Sequence, residues 1–216
     1  MEFLTAEHAC KHWGVAITGG IGAGKSTLIQ LLEELGYTVV QADQLSRLIF
    51  VKSHRGYQKI IEAFGPGILD ENREIDRKKL KDLTFADGEK KKRLESITQP
   101  LIVAELARAL EETGILHQPR FWFYEAPVII EAHRQNQFLA TWLIVCPTFM
   151  RYQRIKLRDG MNDQRAKLSL NAQLSDAEKQ KHADLVISTA GPLELCRYRI
   201  VHALNALSCM KFAPPS

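Results

Sequence analysis

Residues 14–40 read Gly-Val-Ala-Ile-Thr-Gly-Gly-Ile-Gly-Ala-Gly-Lys-Ser-Thr-Leu-Ile-Gln-Leu-Leu-Glu-Glu-Leu-Gly-Tyr-Thr-Val-Val. The first five residues are an apolar run too short for a helix and bounded by turn formers, which predicts a buried strand over 14–18. From Lys25 the pattern changes to Leu28, Ile29, Leu31, Leu32 and Leu35, a helical stripe that stops at Gly36. Residues 37–40 then predict a second strand. Strand, glycine loop, helix, strand is a βαβ opening and calls for a parallel sheet covered by helices.

Further strands are expected over 121–126, 139–146 and 185–188. The first two precede Pro127 and Pro147, and the third precedes Gly191 and Pro192. Between the second and third strands, helical patterns run over 57–64, 77–85 and 89–112, with a bend expected at Pro100. A second helical stretch is expected over 150–181. The resulting picture is an α/β core interrupted by one large and one small helical insertion.

The loop itself, Gly19-Gly20-Ile21-Gly22-Ala23-Gly24-Lys25-Ser26, satisfies G-x-x-x-x-G-K-[ST]. Its glycines let successive backbone N–H groups turn inward around a phosphate, in conformations that a Cβ obstructs. The helix that follows aims its positive dipole end at the same anion. Gly20, Ile21, Gly22, Ala23, Gly24, Ser26 and Thr27 are therefore candidate phosphate contacts. Lys25 can reach the β- and γ-phosphates, and the Ser26 hydroxyl can ligate Mg²⁺. A glycine-rich turn without a ligand is the alternative. The strand before and the helix after favour a nucleoside triphosphate.

The chain has 216 residues, 45% hydrophobic and 25% charged, which excludes global disorder. A formal charge of +4 suits an anionic small molecule and does not demand nucleic acid. No apolar run reaches 18 residues, so no membrane span is expected. The stretch MEFLTAEHACKHW has no apolar h-region and is not read as a signal peptide. Cys10, Cys146, Cys196 and Cys209 form no C-x-x-C pair, and reduced thiols in a cytoplasmic protein are expected. The histidines suggest no metal cluster, and Trp13, Trp122 and Trp142 are expected in the core.

Several other residues have two readings on position alone. Asp43 follows the second strand, where a carboxylate can accept a proton from an attacking hydroxyl or can cap the helix over 45–49. Glu125 ends the third strand, where an acid can hold Mg²⁺ directly or through water, or simply face solvent. Arg151, Arg154 and Arg158 fall on one helical face, able to close over a triphosphate or to remain a solvated row. The basic runs at Lys78-Lys79 and Lys90-Lys91-Lys92-Arg93 are solvated helix faces or docking points for a polyanionic acceptor.

Taken in order, these segments resemble the dephospho-coenzyme A kinase family from about Val15 to about Leu204. AITGGIGAGKST is close to that family's phosphate loop, and VVQADQLSR to its V-I-D-A-D-x-I-A-R segment. ILDENREIDRKKL is similar to an acidic turn followed by L-D-R-x-x-L, EAPVIIE to D-x-P-L-L-F-E, and RIKLRDG to the lid. Gln173, Lys179, Ala183 and Asp184 follow in similar spacing. The resemblance implies a P-loop NTPase fold of the nucleotide-kinase type, three layers α/β/α around a five-stranded parallel sheet. It implies ATP and dephospho-coenzyme A as substrates, Mg²⁺ as cofactor and transfer to the 3′-hydroxyl of the acceptor's ribose. Asp43, Lys25 and Arg158 are then catalytic, Arg154 and Arg158 bind ATP, and Asp43, Arg47, Arg77 and Glu131 serve the acceptor.

The boundaries expected on this basis are an extension over 1–12, a kinase domain over 13–206 and a tail over 207–216. Within the domain, a helical acceptor-binding insertion spans about 49–118 and the lid about 148–183, leaving 13–48, 119–147 and 184–206 as core. No nucleic-acid or membrane partner is expected, and the chain is expected to be a monomer or weak homo-oligomer. Three departures stand out: Gln41 for the first aspartate of D-A-D, Gln99 for the histidine of H-P-L-I, and Ser188-Thr189-Ala190-Gly191 for D-N-x-G near the adenine. Two rival readings are a different P-loop kinase, for a nucleoside or nucleotide, and a non-enzymatic protein, either a nucleotide-binding switch or a degenerate kinase acting as a binding partner. A GTP switch would carry N-K-x-D, which is absent.

Overall fold

A computed structural model describes residues 4–85, 87–160, 162–171 and 173–212. The elements are α1 (Ala6–Trp13), β1 (Gly14–Thr18), α2 (Lys25–Glu34), β2 (Val39–Gln41), α3 (Ala42–Ile49), α4 (Arg55–Phe64), α5 (Arg77–Phe85), α6 (Gly88–Glu112), β3 (Trp122–Glu125), β4 (Ala140–Val145), α7 (Thr148–Asp159), α8 (Asp163–Asn171), α9 (Asp176–Gln180), β5 (Leu185–Ser188) and α10 (Leu193–Phe212). Short 3₁₀ turns add Pro66–Ile68 and Gln135–Gln137.

All five expected strands form, in the sheet order β2-β3-β1-β4-β5. β1 pairs in parallel with β3 and β4, and β4 with β5. The order puts β1, buried along its whole length, at the centre. The loop that leaves its carboxyl end therefore sits where an open parallel sheet presents its ligand crevice. Registers Ile17↔Glu125 and Thr18↔Leu143 bring the ends of β3 and β4 to the same rim.

The chain divides into two compact units, residues 1–39 with 118–216, and residues 40–117. The first has a core of Val15, Ile17, Leu28, Leu32, Phe123, Trp142, Ile144, Ile200 and Leu204. Each fully buried side chain of this kind contributes about 1.5–3 kcal/mol. The second is organised on Ile49, Ile60, Ile68, Ile75, Leu80 and Leu101, which close α3, α4 and α5 around α6.

Several expectations need correction. Residues 6–12 are not a loose extension: Thr5 caps α1 by accepting from His8 N, and Ala9 is fully buried. Trp122 Nε1 donates to Ala9 O at 3.2 Å, and Leu139 N to Cys10 O at 3.1 Å. Burial pushes the Cys10 thiol up to about 12. The tail expected from 207 begins inside α10, with Leu207 in the core, while residues 213–216 lie outside the described residues. The stretch 150–181 is three helices, because Gly160 turns left-handed (φ 59°) and ends α7. Trp122 and Trp142 are core residues as expected, whereas Trp13 is half-buried.

Candidate active site

Three glycines give the phosphate loop its path. Gly22 and Gly24 have φ of 73° and 94°, the left-handed region that a side chain resists. Space is equally short: a Cβ on Gly19 would lie 2.4 Å from Ile144 O, and one on Gly24 2.6 Å from Thr189 Oγ1. Gly24 occupies the N-cap position of α2 without a side chain, leaving the first N–H groups of that helix open to an anion. The Ser26 hydroxyl is exposed on the first turn.

Lys25 lies back along this loop. Its ammonium donates to Gly19 O at 2.8 Å and stands 3.9 Å from Glu125 Oε1, both side chains being mostly buried. Its pKa is lowered chiefly by desolvation; Glu125 opposes that shift, and the charges of Lys179, Arg151 and Arg158 add to it.

The arginine row on α7 divides in function. Arg151 is buried: its Nε donates to Ile21 O at 2.9 Å and its Nη1 to both Asp176 carboxylate oxygens at 3.2 Å. It is a brace beneath the loop, so the expectation of a triphosphate clamp does not hold for it. Arg154 is half-buried and reaches Gly22 O at 3.4 Å, Thr189 Oγ1 at 3.1 Å and Thr189 O at 3.2 Å. Arg158, one turn further, is exposed. Gln173 Oε1 accepts from Ile21 N at 2.9 Å.

Glu131, expected to serve the acceptor, instead lies 2.8 Å from the ammonium of Lys179, a lysine with no solvent exposure. That ammonium also donates to Pro127 O, which accepts from Thr18 Oγ1 as well. The pair therefore ties the segment after Glu125 to the end of β1. Sequence reasoning matched Lys179 only by spacing, met Thr189 only as part of the departure over 188–191, and passed over Asp176 and Arg199. Arg199 holds the turn after β5 by donating to Ser188 O and Ala190 O. No local pattern marks these residues, because their partners are far away in the chain.

In the second unit, Asp43, Arg47 and Arg77 come together. Asp43 Oδ2 lies 2.6 Å from Arg47 and Oδ1 3.9 Å from Arg77, with all three side chains half or more exposed. Arg77 also lies over the Phe50 ring. The capping reading of Asp43 fails: the N-cap position of α3 is Gln41, and no side chain caps there. Asp43 sits in the first turn, free of a capping duty, where a carboxylate suits the helix dipole. Asp76 caps α5, accepting from Lys78 N and Lys79 N at 2.9 and 3.1 Å, and so fixes the helix that carries Arg77.

The hydroxyl of Ser26 and the carboxylate of Glu125 are hard oxygen donors of the kind Mg²⁺ takes. Among the described residues no group of three or more His, Cys, Asp or Glu could hold a metal alone. A cation here would complete its shell from nucleotide phosphates and water. Among the same residues, no helix is long and apolar enough to cross a membrane.

Comparison with known proteins agrees with the geometry. The family model described as dephospho-CoA kinase matches residues 13–194. The dephospho-CoA kinase of Carboxydothermus hydrogenoformans is 34% identical over 195 residues, covering 88% of this chain and 92% of that one. That of Geobacter sulfurreducens is 36% identical over 189 residues, covering 86% and 94%. Among solved structures, a Thermus thermophilus protein superposes with a TM-score of 0.78 at 28% identity, covering 94% of this chain and all of that one. A dephospho-CoA kinase from Campylobacter jejuni gives 0.56 at 28% identity, covering 90% and 96%.

Proposed function

The chain belongs to the dephospho-CoA kinase family, and on that premise we propose that it transfers the γ-phosphoryl group of ATP to the 3′-hydroxyl of the ribose of dephospho-coenzyme A. The products are coenzyme A and ADP. The observation that carries this reading is a complete phosphate loop with a desolvated Lys25, inside a chain that the family matches over residues 13–194.

Each proposed role follows from the chemistry of the group. The open N–H groups of the loop, those of Gly22, Gly24, Lys25 and Ser26, and the Lys25 ammonium hold the phosphates of ATP, while the N–H groups of Ile21, Ala23 and Thr27 are bonded to Gln173 Oε1, Gly20 O and Gly24 O and keep the loop in shape. Arg154 and Arg158 neutralise charge that spreads over the transferring oxygens. The 3′-oxygen attacks the γ-phosphorus, the bond to the bridging oxygen of ADP breaks, and the hydroxyl proton passes to Asp43. Arg47 and Arg77 bind acceptor phosphate beside Asp43. Glu131 acts at one remove, through Lys179, by fixing the segment that follows Glu125. Ser26 and Glu125 would hold Mg²⁺, Glu125 directly or through water, and the cation would withdraw charge from the phosphates. Four unpaired cysteines support a cytoplasmic setting.

The test is a coupled assay with ATP, Mg²⁺ and dephospho-coenzyme A, with the products separated by chromatography. Stoichiometric coenzyme A and ADP are expected. Phosphorylation of another small alcohol with dephospho-coenzyme A left intact would overturn the assignment in favour of a kinase for a different acceptor.

A further inference from the structure

The turn after β5 is one of three places where the chain departs from its family's pattern, and a hydroxyl there carries several contacts. Thr189 is 3% exposed. Its Oγ1 donates to Ala23 O at 2.6 Å and accepts from Arg154 Nη1 at 3.1 Å. Its carbonyl accepts from Arg154 Nη2 at 3.2 Å, and its N–H donates to Val145 O at 2.9 Å. It touches the phosphate loop so closely that no Cβ fits at Gly24.

A hydroxyl has one proton to give. At Thr189 the shorter contact, to Ala23 O, takes it, which turns a lone pair toward Arg154. The guanidinium is thus gripped by the hydroxyl and the carbonyl of a single residue, in a fork that a planar group with parallel N–H bonds matches. The grip is built on fixed supports: Val145 ends β4, and Arg199 holds the carbonyls on either side, Ser188 O and Ala190 O, at 2.7 and 2.8 Å. Burial removes water as a competitor for both contacts of the hydroxyl.

We propose that Thr189 is the positioning residue that fixes the guanidinium of Arg154 against the phosphate loop, and so sets the affinity for ATP through Arg154 rather than by contact of its own. This rests on the reading of Arg154 as a nucleotide-binding residue.

A double-substitution cycle tests it. Thr189→Val keeps the shape and removes the hydroxyl, Thr189→Ser keeps the hydroxyl, and each is compared alone and with Arg154→Ala. ATP affinity is read by calorimetry without acceptor, and kcat and KM by steady-state assay. Thr189→Val should weaken ATP binding and raise KM for ATP by about tenfold, the scale of one lost contact to a charged donor. KM for dephospho-coenzyme A should not change, and Thr189→Ser should restore ATP affinity to within about twofold of the unaltered protein. In the Arg154→Ala background, Thr189→Val should cost less than about twofold, because the group it acts through is gone. Wild-type ATP affinity in Thr189→Val, or an undiminished loss in the Arg154→Ala background, would overturn the proposal. Should Thr189→Val prove too unstable to assay, a Thr189→Ser protein that still binds ATP tenfold more weakly would overturn it as well. If the unaltered protein binds ATP but leaves dephospho-coenzyme A untouched, the acceptor assignment fails while the binding cycle still decides the role of Thr189.

Discussion

The charges around the phosphate loop and those around Asp43 are held in opposite ways. Lys25 and Glu125 keep only 14% and 9% of their side-chain surface, and Arg151 and Lys179 beside them are each tied to a backbone carbonyl and a carboxylate. Asp43, Arg47 and Arg77 keep 52%, 66% and 50% and touch mainly one another. A buried charge is tolerated only with fixed partners, so the phosphate side is built before the ligand arrives. Exposed arginines give up little when an anion displaces their carboxylate, so the acceptor side can exchange partners. On the proposed reading, the contrast is between electrostatic preorganisation in the first unit and capture in the second.

The largest effect should come from the exposed side. Asp43→Asn removes the proton acceptor, and kcat should fall by about 10²–10⁴-fold. Because Gln41 occupies the cap position, the melting temperature should move only by what a surface pair and a first-turn charge contribute, within about 1 kcal/mol. Full turnover in the Asn variant would remove Asp43 from the chemistry and reduce the contrast to one of burial alone.

On the buried side, stability should suffer most at Lys179. Lys179→Met leaves Glu131 and Pro127 O without their cation, a loss of about 3 kcal/mol by analogy with other broken buried pairs. Adding Glu131→Leu should recover part of it, since two apolar groups no longer strand a charge. Denaturant midpoints of the single and double variants check both statements. A Lys179→Met protein as stable as the parent would mean that the pair carries no structural weight.

How much of this was legible in the sequence differs between the two sides for a physical reason. The phosphate loop is local: its glycines, Lys25 and Ser26 lie within eight consecutive residues, and its strand and helix flank it. β1, β3 and β4 were readable because apolar runs bounded by turn formers bury both faces, and the edge strands β2 and β5 because turn formers bound their short apolar runs. The braces were not, since Arg151 meets Asp176 and Arg154 meets Thr189 only after the sheet is assembled. Asp43, Arg47 and Arg77 could be grouped only by resemblance to a family; Arg47 lies on α3 and Arg77 on α5, with the whole of α4 between them. α1 was missed because its residues mix charge with a short apolar face, and only Trp122 and Leu139 reveal what covers that face.

Lys25 sharpens the comparison through pH. Lys25→Met should lower kcat by about 10²–10³-fold, the usual loss for one fixed electrostatic donor. Without nucleotide, the folded state holds the Lys25 pKa below its ordinary 10.5, so folding disfavours the protonated form. That penalty is full where Lys25 is protonated in both states, below its lowered pKa. It disappears as pH rises through the lowered pKa toward 10.5, where the unfolded chain also loses the proton. The melting temperature of Lys25→Met, relative to the unaltered protein, should therefore be highest near neutral pH and decline toward pH 10. A difference that stays flat across this range would mean that Lys25 carries no desolvation cost.

The smallest effect is expected at Arg47, and it is the one most specific to the exposed side. Its pair with Asp43 is an i,i+4 contact of 2.6 Å with both partners largely in water. Such pairs contribute about 0.3–0.5 kcal/mol, because screening and side-chain entropy offset the attraction. Arg47→Ala should accordingly leave the unfolding midpoint within that margin. If the arginine is kept for the acceptor, KM for dephospho-coenzyme A should rise by about tenfold, the scale of one charge-assisted contact to phosphate. KM for ATP should stay where it was. Arg47→Lys should recover only part of the loss, since one ammonium cannot reproduce a forked contact. Raising the salt from 50 to 300 mM should erode the difference between Arg47 and its Ala variant, because a half-exposed charge is screened over about a Debye length. A KM for dephospho-coenzyme A that does not respond to Arg47→Ala would mean that the arginine only partners Asp43, and the acceptor phosphate would then fall to Arg77 alone.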